Sequence, residues 1–530
     1  MNIPILSAAV IIFLGIMTGL MYLGSRKTKT DNDFLVAGRS MHPWIMALSY
    51  GAAFISTSAI VGFGGAAGLF GFSLLWLTVL TIFIGIFIAF ALFGPRIRRM
   101  SCNLGSETFP SFLGARFQSS ALTAFAGMLI FLLMPAYTGA ILIGGGRFLH
   151  DALGIPFTTG LLLFAVIVAV YVMNGGLRGV MYTDAFFAVV MLLGMGTLLF
   201  ATYSAVGGVI PGHSGLSAIS NLVPATLIEQ GHRGWTAMPA FGSRIWWIVI
   251  STMVLGVGIG VLAQPQLTMR FMTIKQPRSL YQAILVGGIF IFFMTGTAFI
   301  IGPLSNLYFY QTQGKIAIQV AEGNIDRIIP IFVSQIMPNW FLYFFMLTLL
   351  AAAISTLSSL IHVQGTAFAR DLVENLGINK LLPGAPTRFW AKLGILFSII
   401  SAVTLAFILP PGVIARATAF WFGICAAAFL PTLTAALYWP AATKAGALAS
   451  TITGSIVSGF GYIFLQEQGA VAVGLVSRLL GRTTLLPFPW THIEPLIYAL
   501  PAATIVLVAV SLLTQRPMAK HLEDTFKKVA

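Results

Sequence analysis

The chain has 530 residues, of which 58% are hydrophobic and only 8% charged, and its formal net charge is +15. A soluble protein would carry about 25% charged residues, so this composition excludes a water-soluble globular domain. The basic residues sit in short loops rather than in one long patch, which argues against nucleic acid as a partner.

Apolar runs near or above the roughly 20 residues that cross a bilayer recur along the chain. In order they cover 5–24, 44–70, 74–94, 121–150, 157–174, 180–206, 244–274, 280–308, 329–372, 389–409, 413–437, 442–464 and 491–514. This predicts an all-α polytopic membrane protein with thirteen transmembrane helices, multi-pass in a prokaryotic plasma membrane. The run 5–24 lacks a basic leader and a cleavage site, so it reads as a retained helix. The loops then alternate sides, with about 21 Lys and Arg on one side and about 8 on the other. The rich side holds Arg26, Lys27, Arg39, Arg96, Arg98, Arg116, Arg178, Lys275, Lys380 and the tail from Arg516. The positive-inside rule makes that side cytoplasmic, so the N-terminus lies outside and the C-terminus inside.

Span 2 reads SYGAAFISTSAIVGFGGAAGLFG, with glycines throughout and Ser56, Thr57 and Ser58 at its centre. Span 6 carries Asp184 about a helical turn inside its start, and an ionisable residue at that depth is a functional candidate. Its plainer role is an ion pair with a loop residue such as Arg178. The loop 207–243 reads as extracellular connecting chain. Span 7 carries Gly256, Gly258 and Gly260 ahead of Gln264-Pro265, and proline removes a donor from the helix ladder. Arg270, past that break, reads as an end anchor of the span. Span 9 holds AAAISTLSSLI, in which Ser355, Ser358 and Ser359 share one helix face beside Thr356. Hydroxyls among backbone carbonyls suit a small hard cation. The plain alternative is hydroxyls that bond back to their own helix.

Spans 2 and 7 are five apart, so each could open one of two five-helix repeats of opposite orientation. The chain then divides into an N-terminal helix and cytoplasmic loop (1–43), repeat one (44–206), the extracellular loop (207–243), repeat two (244–437) and C-terminal helices with a tail (438–530). Helices broken at matching positions in two inverted repeats are the architecture of many secondary transporters. No P-loop, HExxH or GxSxG occurs, and no catalytic set emerges, so the chain does not read as an enzyme.

Four stretches resemble the sodium:solute symporter family. Phe34-Leu-Val-Ala-Gly-Arg-Ser40 is similar to its FLAGRS segment, and the run Gly175–Asp184 to its GGLxAVxWTD segment. Gly260-Val-Leu-Ala-Gln-Pro265 with Arg270-Phe-Met272, and Ala352–Ser358, are similar to GxxxQPxxxxRFM and AxxSTLS of its proline branch. The resemblance spans about residues 5 to 465. It implies a LeuT-like fold of five plus five inverted helices, with helices 2 and 7 interrupted. It implies a sodium site on the carbonyls of Ala52, Ile55 and Ala352 and the hydroxyls of Ser355 and Thr356. Some relatives hold a second sodium on a set that Asp184, Ser355, Ser358 and Ser359 match. Sodium, one ion or two, is thus the expected coupling partner. Two sodium ions with one monoanion would carry one net positive charge.

The substrate branch departs from the family's better-marked ones. Phe54 stands where the proline branch has an aspartate, and Val257 and Val261 stand where it has aromatic residues. The polar groups left are Ser56, Thr57 and Ser58, with Tyr137 and Gln264 as further candidates for the pocket wall. Small hydroxyls on apolar walls fit a short monocarboxylate better than a sugar. The expectation is a sodium-coupled importer of a small organic solute, needing only substrate, sodium and the bilayer, with no oligomer required. The alternatives are a proline-like amino-acid symporter, a membrane solute sensor acting through a partner, and proton coupling through Asp184 or His362. Arg147 could attract a carboxylate but reads more simply as a residue reaching toward the surface.

Overall fold

The computed structural model describes residues 3–382, 384–410 and 412–529. Among these the chain is helical, with no strand and a single isolated bridge between Met41 and Ile274. Among the described residues eleven helices are long and apolar enough to cross a membrane, and the helix Phe157–Met173 is apolar but shorter. The elements that build the centre are α1 (Ile3–Ser25), α2 (Pro43–Phe54), α3 (Gly64–Phe70), α4 (Ser120–Leu153) and α5 (Phe157–Ala205). They continue with α6 (Pro265–Thr273), α7 (Ser279–Gln313), α8 (Asn339–Thr366), α9 (Thr387–Ile408), α10 (Ile414–Tyr438), α11 (Lys444–Phe460) and α12 (Leu496–Leu513).

Helix α8 is the axis of the molecule. Every residue from Thr348 to Thr366 is buried, as befits a helix that is apolar all round. It packs against α5, α4, α9 and α2. Helix α7 closes on α2, α3 and α5, and α10 on α4, α11 and α12. By contrast α1 exposes Ile5, Ile11, Ile12 and Ile16, an apolar face suited to lipid.

Span 2 is broken. Helix α2 starts with Pro43 at its first position under a His42 cap and stops at Phe54, where Ile55 turns extended (φ −81°, ψ 107°). A wide π turn, Ser58–Phe63, follows before α3 resumes. The break strips the last carbonyls of α2 of their helical partners. Span 7 breaks similarly. A π segment (Ile248–Gly256), a short helical turn and a 3-10 turn lead to Gln264 in extended geometry (φ −69°, ψ 118°). Proline at the first position of α6 restarts the helix, where its missing N–H costs nothing. Helix α5 is really two helices joined at Gly176, whose φ of 58° and ψ of 174° no residue with a side chain adopts easily.

The segment 207–243, expected to be connecting chain, is a packed unit. Val206, Leu216, Ile219, Val223 and Trp235 form a small core with Leu304, Leu307 and Ile316. It is seated on the end of α3, with His232 Nε2 donating to Leu69 O (2.9 Å) and Phe72 N–H donating to Trp235 O (2.7 Å). A loop with its own apolar cluster gains burial, which a merely polar linker would lack.

Candidate functional site

The break in span 2 lies against the hydroxyl face of α8. Ser355 Oγ sits 2.8 Å from Ala52 O and 3.1 Å from Ala352 O. Thr356 Oγ1 lies 3.5 Å from Ala52 O and 3.4 Å from Ile55 O. Five oxygens, two hydroxyl and three carbonyl, therefore converge from two elements some 300 residues apart in sequence. None carries a full charge, and all are buried. Such a set fits a hard monovalent cation by donor chemistry. Thr356 is held loosely, at distances long for a hydrogen bond, so its oxygen is free to turn toward an ion.

Beside this set is a cavity with about 20 Å³ open to the centre of a water molecule. That is room for about one water, so the side chains of the wall stand close together. Phe54, Ser56, Tyr137 and Val257 line it, as expected from the sequence. Thr57, Ser58, Val261 and Gln264 do not. Thr57 Oγ1 donates to Ile141 O (2.9 Å) and ties the break to α4. Val261 packs over Gly85. Gln264 donates to Gly260 O (3.4 Å) and accepts from Gln266 (3.0 Å). Ser58 is buried in the π turn, and its hydroxyl has no hydrogen-bond partner among the described residues. The wall also holds Phe63, Phe299, Phe422, Thr295 and Thr418, which sequence reasoning missed. Phe422 meets Phe54 edge-on at 6.2 Å and Tyr137 at 5.7 Å, so three aromatic rings close one side.

Asp184 is where the structure departs furthest from the sequence reading. Its partner is Arg270, not Arg178: Arg270 Nη2 lies 2.9 Å from Asp184 Oδ2, and both side chains are buried. Ser49 Oγ donates to the same carboxylate oxygen (2.7 Å). Arg270 also reaches Ser359 Oγ (2.6 Å), Ser49 Oγ (2.9 Å) and Gln266 O (2.6 Å). It is thus an interior cation rather than an end anchor. Arg178 instead binds Ala37 O (2.6 Å) and Ser40 Oγ (2.7 Å), with Asp33 at 3.9 Å. Ser358 and Ser359 donate back to Ser355 O (3.0 and 2.8 Å), the bond expected of hydroxyls in an apolar helix. His362 packs on Phe34, with ring centroids 5.2 Å apart, and Arg147 stacks over Phe157 at 4.9 Å; neither lines the cavity.

Comparison with known proteins gives this geometry a family. Residues 34–454 match the model of the sodium:solute symporter family. The chain is 25% identical over 499 residues to a sodium/pantothenate symporter of Haemophilus influenzae, covering 91% of this chain and 96% of that one. It is 27% identical over 457 residues to an osmoregulated proline transporter of Bacillus subtilis, covering 85% and 88%. Its fold is similar to that of a Na+-coupled sialic acid symporter in a substrate-bound, outward-open state, with TM-score 0.73 over 97% of this chain and 98% of that one at 17% identity. The match over most of the length, together with the many apolar helices, shows a multi-pass helical membrane protein that belongs to the sodium:solute symporter family.

Proposed function

We propose that this protein imports a small organic solute, a short monocarboxylate by preference, driven by inward sodium flow through alternating access. The observation that carries the reading is the convergence of Ala52 O, Ile55 O, Ala352 O, Ser355 Oγ and Thr356 Oγ1 at a helix break beside a small, mostly apolar pocket. Sodium held there would place a positive charge near the broken end of α2. The amides freed where the backbone resumes could hold a carboxylate. The apolar wall of Phe54, Val257 and Phe422 would take an alkyl chain, and the hydroxyls of Ser56, Thr295 and Thr418 the remaining polar groups. The wall has no amide or acid side chain among the described residues, which disfavours a polyhydroxyl sugar.

We read thirteen crossings, ten of them in two five-helix inverted repeats. The Phe157–Met173 helix is one crossing, and the continuous stretch 58–103 is shared between two. The basic side faces the cytoplasm, so the N-terminus is outside and the 207–243 unit covers the outer mouth. A second substrate reading, a proline-like amino acid, is supported by the proline transporter among the relatives. Pantothenate, named for another relative, is itself a carboxylate, in keeping with the first reading. A panel of acetate, propionate, lactate, pyruvate, pantothenate, proline and galactose, tested for binding to purified protein with and without sodium, decides between them. Sodium-dependent binding of a monocarboxylate is the expected outcome. Tight sodium-dependent binding of proline or galactose, with no response to acetate, propionate, lactate, pyruvate or pantothenate, would overturn the substrate. Binding indifferent to sodium would overturn the coupling.

A further inference from the structure

The residues that would hold a second sodium do not fit an added ion. Asp184, Ser358 and Ser359 are all buried, but the carboxylate already faces a permanent cation. The Arg270 guanidinium donates to Asp184 Oδ2 and Ser359 Oγ through Nη2, to Ser49 Oγ through Nε, and to Gln266 O through Nη1. Two of the four oxygen-bearing side chains expected around an ion, Asp184 and Ser359, are therefore spent on this group. Ser358 turns its proton to Ser355 O, and Ser355 Oγ already belongs to the first set through Ala52 O and Ala352 O. Among the described residues Asp184 Oδ1 is without a hydrogen-bond partner, and beside it only Ser358 Oγ keeps lone pairs that Arg270 does not engage, two oxygens where an alkali cation needs a shell of several. The formal charge of the pair is zero. A sodium ion added beside it would leave a net positive charge in a low-dielectric interior, against a guanidinium that never deprotonates.

We propose that Arg270 permanently holds the place of a second coupling ion, so that the chain binds one sodium per cycle rather than two. This rests on the sodium reading of the Ala52–Thr356 set. Arg270 belongs to α6, just past the break of span 7, whereas Asp184, Ser359 and Ser49 belong to α5, α8 and α2. The tethered charge thus joins the broken helix of one half to three helices around it, as a bound ion would, but it cannot leave. The energetic consequence is a changed coupling. One sodium with a monoanion moves no net charge, and one sodium with a zwitterion moves one.

The test counts sodium directly. Purified protein in lipid nanodiscs is titrated with radiolabelled sodium, without substrate, in a scintillation-proximity format. The wild-type chain should saturate at one ion per protein with a Hill slope of one. Asp184→Asn should also saturate at one. Arg270→Gln should expose Asp184 and raise the count to two, and Arg270→Gln combined with Asp184→Asn should return it to one. A wild-type count of two that falls to one in Asp184→Asn overturns the proposal, and this comparison stands even if Arg270→Gln does not fold. A folded Arg270→Gln that stays at one shows that the guanidinium is not what keeps a second ion out, and also overturns it. A wild-type chain that binds no sodium refutes the sodium reading itself, and the Arg270 assignment falls with it. Loss of the single ion in Ser355→Ala with Thr356→Val, beside an unchanged count in Asp184→Asn, supports both.

Discussion

Thr356→Val and Ser355→Ala separate two kinds of oxygen in the same site. Valine keeps the branched shape of threonine and alanine suits a helix interior, so both changes spare α8. An oxygen facing a charge is worth about 1.5–3 kcal/mol, whereas a neutral hydrogen bond is worth about 0.5–1.5 kcal/mol. Ser355 Oγ donates to Ala52 O at 2.8 Å, a bond that holds α8 to the break whether or not an ion is bound, so its removal weakens the free state as well as the bound one. Thr356 stands at 3.4–3.5 Å from its carbonyl neighbours and gives up little when the ion is absent. The expected loss of sodium affinity is then about 1 kcal/mol for Ser355→Ala and about 2 kcal/mol for Thr356→Val. At 1.4 kcal/mol per factor of ten, these are roughly 5-fold and roughly 30-fold, and the double variant loses at least tenfold. The assay is the sodium concentration giving half-maximal binding, read on protein whose thermal transition is unchanged. Equal sodium affinity in wild type and a folded double variant would refute the site. A larger loss for Ser355→Ala than for Thr356→Val would refute the argument from bond length.

Further outcomes follow from single contacts. Phe54→Asp places an anion in the cavity beside Phe422 and should abolish sodium-dependent binding of monocarboxylates, measured by the same substrate panel. A Cβ at Gly260 would collide with the backbone carbonyl of Phe422, which cannot swing aside, so Gly260→Ala should force span 7 from α10. The cost should be about 1–3 kcal/mol, visible as a lowered thermal transition. His232, in the packed 207–243 unit, accepts from Gly234 N–H at Nδ1 (3.0 Å) and donates from Nε2 to Leu69 O, an arrangement of the neutral ring. Burial holds its pKa below the ordinary 6.5, so the detached unit takes up the proton first. Its seating is therefore fully stable above pH 6.5 and weakens as pH falls from there toward the lower folded value. Hydrogen exchange of residues 207–243 should accelerate over that range in wild type and lose this pH dependence in His232→Gln.

Much of the molecule is legible in one dimension. Apolar run length is set by bilayer thickness, so the membrane class and most crossings follow from hydropathy alone. The two helix breaks are also local events. Gln264-Pro265 restarts a helix because proline tolerates only its first turn, and the Ser56–Ser58 cluster competes with the ladder around it. The hydroxyl stripe Ser355, Thr356, Ser358 and Ser359 is visible because it interrupts an apolar helix.

What the sequence could not decide is which faces meet. A helix apolar all round carries no amphipathic phase, so nothing in α7 or α10 marks Thr295 or Thr418 as cavity-lining rather than helix-bonded. Thr418 indeed also donates to its own Ile414 O (2.9 Å), as any membrane threonine would. The partner of Asp184 posed the same difficulty. Arg178 is close in sequence, yet the kink at Gly176 and the packing of α5 on α8 turn Asp184 toward Arg270, 86 residues away. A buried charge must be neutralised by whatever cation the fold brings to it, and only the tertiary structure decides whether that cation is mobile sodium or a tethered guanidinium.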